Sequence, residues 1–146
     1  LTADHLREYV SKGDVVFAGF PCQGFSNAGK KSANDPRNTM FREFARIVDI
    51  VKPKIVIGEN VKGLMSRKTS NGENYIDVIT KVFEDLGYDV ISKVMKCRDY
   101  GIPQDRERLI ILGVARGQKY RLKLFYFSCI LYYPSDLETR TVSLLL

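Results

Sequence analysis

Three observations predict an α/β protein built on a mostly parallel sheet with one antiparallel strand. Short runs of β-branched and apolar residues alternate with amphipathic segments of helical spacing. The first three of these runs are separated by stretches long enough for crossover helices, whereas the last connector is too short for one. With 146 residues, 45% of them hydrophobic and 27% charged, the chain can fill one core of ordinary size.

The elements follow in order. Val15, Val16, Phe17 and Ala18 read as a short buried strand, and Pro21, which has no N–H, cannot prolong its ladder, so the chain leaves the sheet just before Cys22. After a polar stretch from Asn27 to Asn38, the positions Met40, Phe41, Phe44, Ile47, Val48 and Val51 fall on one helical face, and Pro53 ends that helix. Ile55, Val56 and Ile57 form a second strand, expected to stop at the turn-forming Gly58-Glu59-Asn60. Asn71-Gly72 leads into a second amphipathic helix marked by Ile76, Ile79, Val82, Phe83 and Leu86 and closed by Gly87. Val90 to Met95 and Leu109 to Val114 are two more strands. The tail from Gln118, rich in aromatics and leucine, reads either as strand or as the beginning of another subdomain, which divides the chain into 1–117 and 118–146.

Composition narrows the function classes. Three cysteines at 22, 97 and 129 and a single histidine, His5, match no zinc spacing and no disulfide framework, and no metal is expected. There is no signal peptide and no apolar stretch long enough to span a bilayer, so an intracellular protein without a membrane partner is expected. The 23 basic and 17 acidic residues give a net charge of +6, which favours an anionic partner, although a solvated basic surface accounts for a moderate excess almost as well. The chain opens on Leu1, enters its first strand early and contains no Gly-x-Gly, so it reads as an internal piece of something longer, with the glycine-rich turn that holds an adenosine cofactor lying elsewhere. The outer edge of its first strand is then expected to be uncovered.

Topology brings the chemistry together. A strand–helix–strand unit crosses over right-handed and makes its strands parallel, so the strands ending near Phe20 and Gly58 finish at one rim, where Cys22 and Glu59 face the same crevice. If the third strand is also parallel, the fourth returns antiparallel and begins at that rim. Period-two alternation then puts Gln104, Arg106 and Arg108 on one face, away from Asp105 and Glu107. Each has an ordinary reading beside the functional one: Cys22 as a small core hydrophobe, Glu59-Asn60 as a strand-end turn, the arginines as an ion-pair ladder with Asp105 and Glu107.

The segments Gly19-Phe20-Pro21-Cys22-Gln23-Gly24-Phe25-Ser26, Glu59-Asn60-Val61 and Gln104-x-Arg106-x-Arg108 resemble, in order and spacing, signature motifs of the DNA (cytosine-5) methyltransferases. Arg37, Phe41, Arg46-Ile47, Lys52-Pro53 and Asp99-Tyr100-Gly101-Ile102-Pro103 extend the resemblance over roughly Asp14 to Gly117. The first motif's wording is closer to bacterial or viral modification enzymes than to relatives that act on transfer RNA. The resemblance implies a Rossmann-like sheet using S-adenosylmethionine, with Cys22 as nucleophile toward carbon 6 of a flipped cytosine, Glu59 as acid at ring nitrogen 3, and Arg108 and Arg106 as stabilising and organising groups. It further implies double-stranded DNA as partner. Gln23, Ser26, Lys30, Lys31 and Arg37 would lie on a closing loop, with Asn60 and Gln104 supporting the site and Phe20, Pro21 and Met40 bordering the cofactor. The Phe-x-Gly-x-Gly turn, the acidic residues for the adenosine and the target-recognition domain of the family are missing, so most of the cofactor site is expected outside this chain, in a complementary segment or partner chain. A remnant that binds nucleic acid without turnover is the alternative reading; a thiol hydrolase is disfavoured because the only histidine, His5, lies near the amino terminus.

Overall fold

The structure is a computed structural model of the chain and describes residues 2–21, 40–118 and, as backbone, 141–144. A short helix α1 (Ala3–Arg7) buries Leu6 and leads into β1 (Val15–Gly19). α2 (Phe41–Val51) buries Phe41, Phe44, Ala45, Ile47, Val48 and Val51, the apolar face expected from their spacing, and ends at Lys52 in the left-handed region just before Pro53. β2 (Ile55–Val61) is followed by a 3₁₀ turn, Lys62–Ser66, and then by α3 (Tyr75–Asp85), which Gly87 closes at φ +93°. β3 (Tyr88–Lys96), a second 3₁₀ turn (Cys97–Tyr100) and β4 (Glu107–Ala115) complete the core, and β5 (Thr141–Leu144) lies in the tail.

The five strands form one sheet in the order β3-β4-β2-β1-β5. β1 pairs in parallel with β2 and β5, and β4 runs antiparallel to both β2 and β3. The fourth strand therefore lies between the second and third, and its antiparallel run beside β3 is what the short connector requires. Two findings differ from the sequence reading. β2 does not stop at Gly58-Glu59-Asn60 but runs through Val61, because β4 supplies a partner for every residue: Ile110 for Glu59, Leu109 for Asn60 and Arg108 for Val61. Ladder pairing here overrides the low strand preference of Gly and Asn. The outer edge of β1 is not uncovered either, since Thr141–Leu144 pairs along Val15 to Ala18.

Both long helices pack on one face of the sheet, where the Phe44 and Phe83 rings meet edge to face at 5.0 Å. Gly58 lets this layer close onto β2: a Cβ there would stand 3.4 Å from ring carbons of both Phe20 and Phe44. The core thus clamps the end of β1 by the Phe20 ring, which is 4% exposed and stacked on Phe44. The opposite face, carrying Phe17, Ile55 and Ile57, is half-buried. Among the described residues no helix is long and apolar enough to cross a membrane.

Candidate active site

β1 and β2 end at one rim, with Gly19 opposite Glu59 in the ladder. β4 begins there, so Arg108 arrives opposite Val61. The carboxyl and guanidinium meet: Arg108 Nε donates to Glu59 Oε1 at 2.7 Å, each side chain 29% exposed. Arg108 Nη1 also donates to the Glu107 carbonyl at 2.8 Å, which fixes the plane of the guanidinium. The second carboxyl oxygen, Oε2, leans over the end of β1 and would lie 3.6 Å from a Cβ on Gly19. A carboxyl and a guanidinium held this way can hydrogen-bond a planar polar ring presented at the rim and stabilise charge that develops on it.

Asn60 is the buried polar side chain of the described core, 2% exposed. Its Nδ2 donates to the Phe20 carbonyl at 3.2 Å and its Oδ1 accepts the Val61 N–H at 2.9 Å. The amide thereby joins β2 to the last residues of β1 beyond the end of their ladder.

The arrangement of Gln104, Arg106 and Arg108 on one face of an extended strand is corrected. β4 starts only at Glu107. Gln104 N–H bonds the Ile102 carbonyl at 2.7 Å and the Arg106 carbonyl accepts the Cys97 N–H at 2.9 Å, so both belong to a folded loop and both are exposed. The loop borders a polar cleft of about 550 Å³ lined by Lys96, Arg98, Gln104, Arg106 and Glu107 among others. The ion-pair ladder is overturned as well: Asp105 pairs with Arg98, and Glu107 with Lys62 at 2.8 Å and Lys96 at 3.7 Å. The Lys62 hydrogen bond, followed by the charges of Lys62 and Lys96, holds the Glu107 carboxyl below the usual carboxylate range. These pairings escape a reading of the sequence, because Lys62 and Glu107 meet only through the β2–β4 register.

Of the residues expected beside a cofactor, Phe20 has its ring in the core, while Pro21 and Met40 are half-exposed at the exit of β1 and the start of α2. They can form an apolar border. Cys22, Gln23, Ser26, Lys30, Lys31 and Arg37 lie outside the described residues.

Comparison with known proteins identifies the family. The sequence profile described as C-5 cytosine-specific DNA methylase matches residues 3–141. The chain is 40% identical over 123 residues to the Type II methyltransferase M.XorII of Xanthomonas oryzae pv. oryzae, covering 80% of this chain and 28% of that protein. It is 48% identical over 105 residues to the Type II methyltransferase M.PspPI of a Psychrobacter species, covering 70% of this chain and 24% of that protein. Among solved structures, a DNA modification methyltransferase encoded within an E. coli prophage superposes with a TM-score of 0.59 at 27% identity, over 88% of this chain and 32% of that one. The S. pombe Dnmt2 methyltransferase shares the fold at a TM-score of 0.58 and 22% identity, over 83% of this chain and 36% of that one. The chain spans about a quarter to a third of the length of the curated relatives it matches. Rossmann-like sheet, converging rim and profile agree, and the chain belongs to the C-5 cytosine-specific DNA methylase family.

Proposed function

We propose that this chain is the catalytic-core segment of a DNA cytosine-5 methyltransferase of the restriction-modification type, acting on a cytosine flipped out of double-stranded DNA. The observation that carries the reading is the Glu59–Arg108 pair at 2.7 Å on the rim that β1 leaves through Phe20 and Pro21, immediately ahead of Cys22. Carbon 5 of cytosine is a poor nucleophile. The Cys22 thiolate adds to carbon 6, and the electron pair displaced from the 5,6 double bond makes carbon 5 nucleophilic. Glu59 gives a proton to ring nitrogen 3 as negative charge develops there, and Arg108 holds Glu59 in place and stabilises charge on the ring oxygen. S-adenosylmethionine supplies the electrophilic methyl that carbon 5 takes. A base takes the carbon 5 proton, its electron pair restores the 5,6 double bond as the thiolate leaves carbon 6, and ring nitrogen 3 returns its proton to Glu59, which frees the methylated base and regenerates the enzyme.

Lys30, Lys31 and Arg37 are assigned to DNA phosphates, and Gln23 and Ser26 to the loop that closes over the base, in keeping with the excess of positive charge. Arg106, exposed beside Arg108, organises the phosphate side of the site, and Gln104 supports the loop that carries it. Phe20, Pro21 and Met40 border the methyl donor, whose remaining contacts come from a complementary methyltransferase segment, in the same polypeptide or in a partner chain. Residues 1–117 form the catalytic part; of the tail 118–146, Thr141–Leu144 returns to the sheet beside β1, and the rest is assigned to the start of a target-recognition region.

The test is a duplex with 5-fluorocytosine at the target position, offered with the methyl donor to this chain assembled with its complementary segment. Fluorine cannot leave carbon 5 as a proton does, so the sulfur stays bonded to carbon 6 and a covalent protein–DNA adduct accumulates. An adduct that Cys22→Ala abolishes supports the reading. DNA binding with neither adduct nor methyl transfer would instead favour a nucleic-acid-binding remnant of the fold.

A further inference from the structure

We infer that Asn60 is a positioning residue of the methyltransferase site: its side-chain amide fixes the exit of β1 at Phe20 and Pro21, on the rim that carries the Glu59–Arg108 pair. The inference rests on the function proposed above.

The geometry is specific. The β1–β2 ladder ends at Gly19 and Glu59, so Phe20 has no ladder partner. Pro21 has no N–H with which to anchor the chain by its own backbone. At this unsupported point the Asn60 Nδ2 takes the Phe20 carbonyl at 3.2 Å, while Oδ1 is itself fixed by the Val61 N–H at 2.9 Å. The amide is 2% exposed, so water does not substitute for either bond. On its other flank the Phe20 ring is held by Phe44 at 6.3 Å between centroids. Ring and carbonyl together remove the freedom of the peptide that points the chain off the sheet. Glu59 is the neighbour of Asn60 and alternates to the other face of β2, so one strand segment holds the acid and the exit of β1 in fixed relation. A carboxylate of the same size would keep the Val61 bond and lose the donor to Phe20; Asn60→Asp therefore separates the two halves of the amide.

Asn60→Asp, Asn60→Ala and, as a destabilised control in α3, Ile79→Val are compared with the parent in the assembled enzyme, below the onset of thermal unfolding of each. Both Asn60 variants should lose at least tenfold in kcat and in the rate of 5-fluorocytosine adduct formation, with KM for DNA within twofold of the parent; Ile79→Val should keep the parental rates. In Asn60→Asp the Val61 amide should retain its protection against hydrogen exchange although the rate has fallen. Should Asn60→Ala fail to fold, Asn60→Asp alone decides. Parental kcat and trapping rate in Asn60→Asp, or an equal deficit in Ile79→Val, would overturn the positioning role. Absence of adduct in the parent would overturn the proposed function instead.

Discussion

Gly113→Ala places a methyl group at the tightest point of the sheet. Gly113 lies in β4 between Val56 of β2 and Val90 of β3. A Cβ there would stand 2.5 Å from Val56 Cγ2 and 3.5 Å from Tyr88 Cβ. Non-bonded carbons settle at about 3.5–4.0 Å, so at least ~1 Å of overlap must be relieved. Val56 is 1% exposed and Tyr88 3% exposed, and relief toward either side pushes on packed neighbours. Overpacking of this kind costs about 1–3 kcal/mol. Val56→Ala removes the opposing methyl and, by loss of about two buried carbons plus a cavity, costs on the order of 2 kcal/mol alone. In the double variant the new methyl occupies part of that cavity, so the combined loss should fall short of the sum by about 1 kcal/mol or more. Urea denaturation followed by far-ultraviolet circular dichroism reads all three at constant slope. Strictly additive losses, or a Gly113→Ala midpoint equal to the parent's, would refute the reasoning.

Glu59→Gln in the assembled enzyme should slow methyl transfer by roughly a hundredfold, the scale for losing a positioned acid, and a rate within twofold of the parent would remove Glu59 from proton transfer. Arg108→Ala should lower turnover strongly while leaving the salt dependence of DNA binding almost unchanged. Lys30→Ala or Lys31→Ala should each reduce that slope by about one unit per phosphate contact, and equal slopes for all of these variants would contradict the division of labour. Burial, and then the charge of Asp49, push the Tyr88 hydroxyl up to about 12 from its ordinary 10.0. The folded state thus keeps a proton that the unfolded state releases, so the contribution is fully present below pH 10 and lost as pH rises through about 12. Ultraviolet titration should show one tyrosine ionising late, and Tyr88→Phe should flatten the alkaline decline while costing about 1 kcal/mol at neutral pH through loss of the 2.7 Å bond to the Pro53 carbonyl.

Periodicity made the helices legible, and connector length the strand directions. The faces Phe41–Val51 and Ile76–Phe83 need only local spacing, and the short connector between β3 and β4 admits only an antiparallel return. Glu59 and Arg108 were brought to one rim by the same argument. What local chemistry could not reveal is pairing imposed from a distance. Gly58-Glu59-Asn60 carries turn propensity, yet β4 draws it into a ladder. Gln104 and Arg106 alternate with Arg108 in sequence, yet bonds from Ile102 and Cys97 fold that stretch into a loop before the strand begins. The sequence offers Asn60 as support for the site but not what it bonds: its Nδ2 donates to the Phe20 carbonyl, a backbone group with no signature in the side-chain pattern.

The insertion of β4 between β3 and β2 has a kinetic consequence. The β3–β4 ladder closes across a short connector, and with α3 it makes a unit of local contacts that forms early. The β2–β4 ladder joins Val61 to Arg108 and Ile55 to Val114, and that larger loop closes only when the first crossover unit, β1-α2-β2, docks against the finished pair. Glu59 and Arg108 therefore reside on different folding units, and the ion pair between them forms only when the two units meet. Appearance of the Arg108 Nε–H bond to Glu59 therefore reports closure of the β2–β4 ladder more faithfully than any gain of helix or strand.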